Sequence, residues 1–102
     1  MGGNMESLIL KKVIFYPEKI VLLKKKGNVE ISIDEIKHIY YEKPSFLQTL
    51  IGLGLAVGNG NVMEIVLNKE KKGKQKYFLI VKYKYVLDLK KFFRKEIFII
   101  NE

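Results

Sequence analysis

His38 is the only histidine in this 102-residue chain, and acid–base or metal chemistry would have to start from it. It lies in a strand-like stretch with no cysteine anywhere to pair with, and Ser7, Ser32 and Ser45 carry no nucleophile-elbow signature. A lone histidine in this setting reads as structural or solvated. Asp34 and Glu35 are adjacent carboxylates. However, Ser32-Ile33-Asp34-Glu35 has the spacing of a capping box, a hydroxyl three residues before a carboxylate. They are therefore expected as capping acids at a bend, not as a catalytic pair. Clustered His, Cys or carboxylate ligands are missing from the sequence pattern. Gly52, Gly54, Gly58 and Gly60 do not match G-x-G-x-x-G, and no G-K-[S/T] follows. The expectation is a non-enzyme with no catalytic residue, no cofactor and no metal.

Two other features carry binding potential. The first is charge. The chain has a net charge of +8, with 18 lysines and a single arginine. Arginine is the residue suited to bidentate reading of phosphates and base edges, whereas lysine is a hydrated point charge. Lys24, Lys25 and Lys26 close one hairpin, and Lys69, Lys71, Lys72, Lys74 and Lys76 surround another. All lie at strand ends, so the two groups could meet on one rim and contact an anionic surface. The reading favoured from sequence is the blander one, a set of solvated hairpin tips that keep strand edges apart.

The second feature is Phe46–Gly60, FLQTLIGLGLAVGNG, apolar, glycine-punctuated and uncharged. Three placements fit: a buried strand with glycine bends, an oligomer interface, or a loop inserted shallowly into a bilayer. Phe46, Leu47, Leu50, Ile51, Leu53, Leu55 and Val57 would supply the interface or membrane contacts. At least part of Leu50–Val57 is expected outside the core, because its glycines fill a strand poorly. The 13 residues from Phe46 to Gly58 are too few to cross a bilayer, which takes ~20 as a helix. An apolar wedge beside lysines is what stabilises peripheral membrane binding.

The elements that would hold these residues are mostly short strands. Leu8–Tyr16 reads as a strand broken by Pro17-Glu18. Lys19–Lys25 and Val29–Ile33 should form a hairpin around Lys26-Gly27-Asn28, with Val29, Ile31 and Ile33 on one face. After the Ser32–Glu35 bend comes Lys37–Lys43, with Ile39 and Tyr41 facing opposite to His38, Tyr40 and Glu42, and Pro44 ends it. Val62–Asn68, with Met63, Ile65 and Leu67 on one face, and Gln75–Val81 flank a charged tip at Lys69–Lys74. Tyr83–Ile97 follows as the one long helix. Val86, Leu89, Phe93 and Ile97 form its apolar stripe, opposite Lys84, Asp88, Lys91 and Lys95. The tail Phe98–Ile100 either extends the helix, pairs as an edge or meets a partner.

Six clear strands, one doubtful strand and a closing helix resemble a bacterial pleckstrin-homology-like or GRAM-like domain. The residues carrying the likeness are the hairpin Ile20–Ile33, the bend ISIDEIKHIYY at Ile31–Tyr41, and the strand running into the helix at Tyr77–Phe93. The resemblance implies a mainly β fold with one C-terminal α-helix: a partly open barrel of two near-orthogonal antiparallel sheets, about six or seven strands, one end plugged by the helix. It covers roughly Leu8–Ile97. Length alone gives a single domain over 1–102, with 1–7 expected to be flexible; Met5 could be a second start, which would leave 1–4 as a remnant.

Domains of this type bind phosphoinositides, peptides or other proteins. The spaced basic residues of a long first loop are absent here, because that loop is Pro17-Glu18. The expected function is thus a non-catalytic binding module for a protein partner, including self-association as a homo-oligomer, or for an anionic membrane surface. The alternative is non-specific nucleic-acid binding through the basic surface, which the single arginine disfavours. No small-molecule substrate suggests itself. No secretion signal or spanning segment is legible, so the expected place is the cytoplasm, with the inner face of the membrane as an option within it.

Overall fold

The computed structural model describes residues 6–43 and 61–100. Expectations for 1–4, Pro44, and the strand, interface or membrane loop at Phe46–Gly60 lie outside the described residues. Within them the protein is mainly β with one helix near its C-terminal end. Eight strands form two four-stranded sheets: β1 Leu8–Ile9, β2 Val13–Tyr16, β3 Lys19–Leu22 and β4 Val29–Ser32 in one, and β5 Ile36–Glu42, β6 Val62–Lys71, β7 Lys74–Ile80 and β8 Ile97–Ile100 in the other. The first sheet runs β1-β2-β3-β4 and the second β7-β6-β5-β8. No strand of one pairs with a strand of the other among the described residues, so the sheets do not close into a barrel.

Alternation places the core as read. Phe15, Ile20 and Ile31 from the first sheet meet Ile39, Tyr41, Met63, Ile65 and Leu67 from the second in one buried cluster. The helix α1, Tyr83–Phe92, buries Val86 and Leu89 in the same cluster. It touches both sheets. The Phe93 ring, just past its end, meets Phe15 edge-on at 6.1 Å, and the Tyr83 ring stacks on Tyr41 at 6.2 Å. Lys84 and Lys91 are exposed, and Lys95 is half-buried.

Three sequence expectations are corrected. The helix stops at Phe92 and does not reach Ile97. Phe93 has extended backbone (φ −71°, ψ 133°), its N–H still bonded to the Leu89 carbonyl at 2.8 Å. The next N–H, of Arg94, leaves the helix and donates to the Pro17 carbonyl at 2.9 Å. The chain then enters β8, which runs parallel to β5, so the second sheet is mixed and not purely antiparallel. The Ile-Phe-Ile-Ile run suits this, because β-branched and aromatic side chains fit a pleated surface, and Ile97 is buried from the strand. Finally, Leu8–Tyr16 is two strands. Leu10 N–H bonds the Val13 carbonyl at 2.9 Å, reversing the chain through Lys11-Lys12.

The bend after β4 is a 3₁₀ turn, Ile33–Glu35. Ser32 N–H donates to Glu35 Oε1 at 3.0 Å, the backward half of a capping box.

Candidate functional site

Two hairpins from different sheets carry the lysines. In the β3–β4 connection Gly27 has φ +122° and its N–H reaches the Lys24 carbonyl at 3.2 Å. Only glycine adopts that backbone without strain. The β6–β7 hairpin turns through Lys72 and Gly73, with Lys71 paired to Lys74. Both turn residues have positive φ, +54° and +80°, as the primed hairpin turns require to match strand twist.

These two tips face one another across a shallow concavity of about 220 Å³. Lys24, Lys26 and Gly27 line one side, Lys72 and Lys74 the other, with Val29 and Tyr77 between them. Tyr77 is a fixed floor: its ring is buried and its hydroxyl donates to the Lys71 carbonyl at 2.6 Å. Lys74 Nζ lies 5.8 Å from that ring's centroid, a cation–π distance. No carboxylate pairs with Lys24, Lys26, Lys72 or Lys74 among the described residues. Four ammonium groups around one hollow therefore keep their positive potential, screened only by salt.

The other four lysines named from sequence are placed differently. Lys71 is bound to Glu35 and Lys76 to Glu64, at 3.0 and 3.5 Å. Lys69 borders a second depression with Asp34, Glu35 and Glu70, an acidic setting. Lys25 is exposed on its turn but does not line the concavity. Phe46, Leu47, Leu50, Ile51, Leu53, Leu55 and Val57 lie outside the described residues.

Sequence reasoning missed Tyr77. Its inward orientation follows from strand alternation, but which hairpin it would face depends on how the two sheets pack, and no local signal encodes that.

Other polar side chains make local contacts. His38 packs its ring against Tyr40 and Phe98, centroids 5.6 and 6.2 Å away, on the outer face of the second sheet. Backbone Ser32 and then Lys71 hold the Glu35 carboxyl below the ordinary carboxylate value. The Asp34 carbonyl accepts from Asn68 Nδ2 at 3.1 Å. No group of three metal-ligating side chains occurs among the described residues, and no described helix is long and apolar enough to cross a membrane. The chain matches no protein-family model, no curated protein and no solved structure.

Proposed function

We propose that this protein is a non-catalytic binding module that docks on an anionic bilayer surface, the inner leaflet, through the cradle of Lys24, Lys26, Lys72 and Lys74. One observation carries the reading: lysines some fifty residues apart in sequence converge, unpaired, on one hollow with a rigid aromatic floor. Each lysine near an anionic leaflet contributes about 1 kcal/mol, so four together give a useful but reversible hold. The hollow is shallow and has no arginine fork. That favours diffuse recognition of many headgroups over tight capture of one phosphate. The finer fold reading, a pleckstrin-homology-like domain, is supported by the two-sheet core and the helix bridging both sheets. The unclosed sheets and the parallel β8 are its departures from that pattern.

Co-sedimentation with vesicles tests the reading. Binding is expected to phosphatidylserine-containing vesicles and not to pure phosphatidylcholine, and Lys26→Glu combined with Lys72→Glu should abolish it. Equal binding to both vesicle types, or an unaffected double variant, would overturn the proposal.

A further inference from the structure

A second surface shares no residue with the cradle. The outer edge of β7 pairs with no strand among the described residues, and β1 is likewise an edge of its own sheet. Between the β7 edge and the β1–β2 connection runs an open groove of about 510 Å³, walled by Leu10–Val13 on one side and Phe78–Ile80 on the other. The Leu10–Val13 wall is fixed by the Leu10 N–H bond to the Val13 carbonyl and by Leu23 N–H donating to the Lys12 carbonyl at 3.0 Å. Val13 is buried, and Leu10 and Leu79 pack against the core, so the floor is apolar.

Among the described residues nothing covers or blunts the edge where it borders this groove. Strand edges are commonly blunted by lysines, proline or bulges. The half of β7 near its turn follows that rule with Lys74 and Lys76. The other half presents Phe78 and Ile80, 63% and 77% exposed. Val81 N–H is bonded toward β6, to the Asn61 carbonyl at 2.8 Å. Alternation along an antiparallel ladder then directs the N–H and C=O of Phe78 and Ile80 away from β6, toward the groove. Lys11 and Lys12 stand exposed at the lip, with no carboxylate partner among the described residues.

We propose that the groove between Leu10–Val13 and Phe78–Ile80 accepts an extended acidic peptide segment of a partner protein, added as a strand to the free edge of β7. The outward backbone groups recur every second residue, a spacing that an extended chain matches. Apolar side chains of the segment cover Leu10 and Leu79 on one face, and its carboxylates meet Lys11 and Lys12. An acyl chain fits less well, because it offers the backbone groups no hydrogen-bond partner. A second copy of this edge would bring its own Lys11 and Lys12 against the first pair.

The test uses a synthetic octapeptide of alternating glutamate and valine, with a lysine–valine octapeptide as control, followed by amide NMR and hydrogen exchange on the full chain. Glutamate–valine peptide should shift the amides of Lys11, Lys12 and Phe78–Ile80 and slow exchange at Phe78 and Ile80. Lys11→Gln with Lys12→Gln should weaken binding about fivefold, as loss of two exposed charge pairs does. Phe78→Pro, which removes an outward N–H, should abolish it while the rest of the spectrum keeps its dispersion. If that variant unfolds, the lysine double variant decides. No shifts at millimolar peptide, equal binding of the lysine–valine peptide, shifts without slowed exchange, or shifts confined to the cradle lysines would each overturn the proposal.

Discussion

Lys71 Nζ lies 3.0 Å from both carboxylate oxygens of Glu35, 36 residues earlier in the chain. The same carboxylate takes the Ser32 N–H at 3.0 Å. One side chain thus closes the 3₁₀ turn and ties it to the far end of β6. It also withdraws Lys71 from the cationic rim, leaving the cradle to Lys24, Lys26, Lys72 and Lys74.

Glu35→Gln tests that tie. The Ser32 backbone bond and then Lys71 lower the Glu35 pKa from its ordinary 4.5. A carboxylate depressed in the folded state adds stability above its unfolded pKa, and that stability is lost as pH falls through the lowered value. The variant should be less stable at pH 7 by roughly 0.5 kcal/mol, as for an exposed pair. Below about pH 4.5 the gap to wild type should close. Urea titrations at pH 7 and at successive steps below pH 4.5 check this. A gap that does not shrink as pH falls below 4.5 would mean the carboxylate's charge is not what matters.

Tyr41 governs the opposite end of the pH scale. Its hydroxyl donates to the buried Val81 carbonyl at 2.6 Å, with Asn61 Oδ1 3.0 Å away. Burial, and then the neighbouring Tyr83, push its pKa up to about 12. Because the folded value exceeds the unfolded one, this group's contribution is whole below pH 10 and is lost as pH rises toward 12. Tyr41→Phe should cost about 1–2 kcal/mol at neutral pH by orphaning the bonded carbonyl. It should also flatten the alkaline loss of stability between those two values. An unchanged alkaline profile would assign that loss to other groups.

Phe93→Ala asks whether the helix end locks the two sheets together. The ring is buried edge-on to Phe15, and truncating a buried phenylalanine costs about 3–5 kcal/mol. Such a loss is a large fraction of a small domain's stability of about 5–15 kcal/mol. A melting temperature within a degree or two of wild type would mean the helix does not brace the core.

Strand identity and inward faces were legible because the period of two is written into residues such as Met63, Ile65 and Leu67, all buried. The helix end was not legible. Ile97 sits four residues after Phe93, which suits a helical stripe. It equally suits a strand that starts inward, and only the unpaired side of β5 selects between them. The Lys11-Lys12 reversal carried no glycine, proline or asparagine to announce it. Convergence of the lysine hairpins was one of two readings of their strand-end positions, and not the favoured one; both it and the ion pairs of Lys71 and Lys76 depend on sheet packing. The strand reading makes its own forecast. Ile97→Ala should cost about 2–5 kcal/mol, with amide exchange quickening along Phe98–Ile100 and the facing half of β5. Exchange that quickens in Tyr83–Phe92 instead would restore the helical reading.

The division of the lysines gives the last prediction. If the cradle is the docking surface, position matters more than total charge. Lys26→Gln and Lys72→Gln should each weaken binding to anionic vesicles about fivefold, corresponding to about 1 kcal/mol for one lysine near the leaflet. Lys69→Gln and Lys90→Gln remove the same charge elsewhere. Lys69 borders an acidic depression and Lys90 lies on the last turn of the helix. At 0.15 M salt, where the screening length is about 8 Å, these two should change binding little. Their effects should grow as salt is lowered and the field of the whole protein reaches further. Four equal effects at 0.15 M salt would show that net charge, not the cradle, drives the attraction, and the hollow between the hairpins would then be only a gap between two solvated tips.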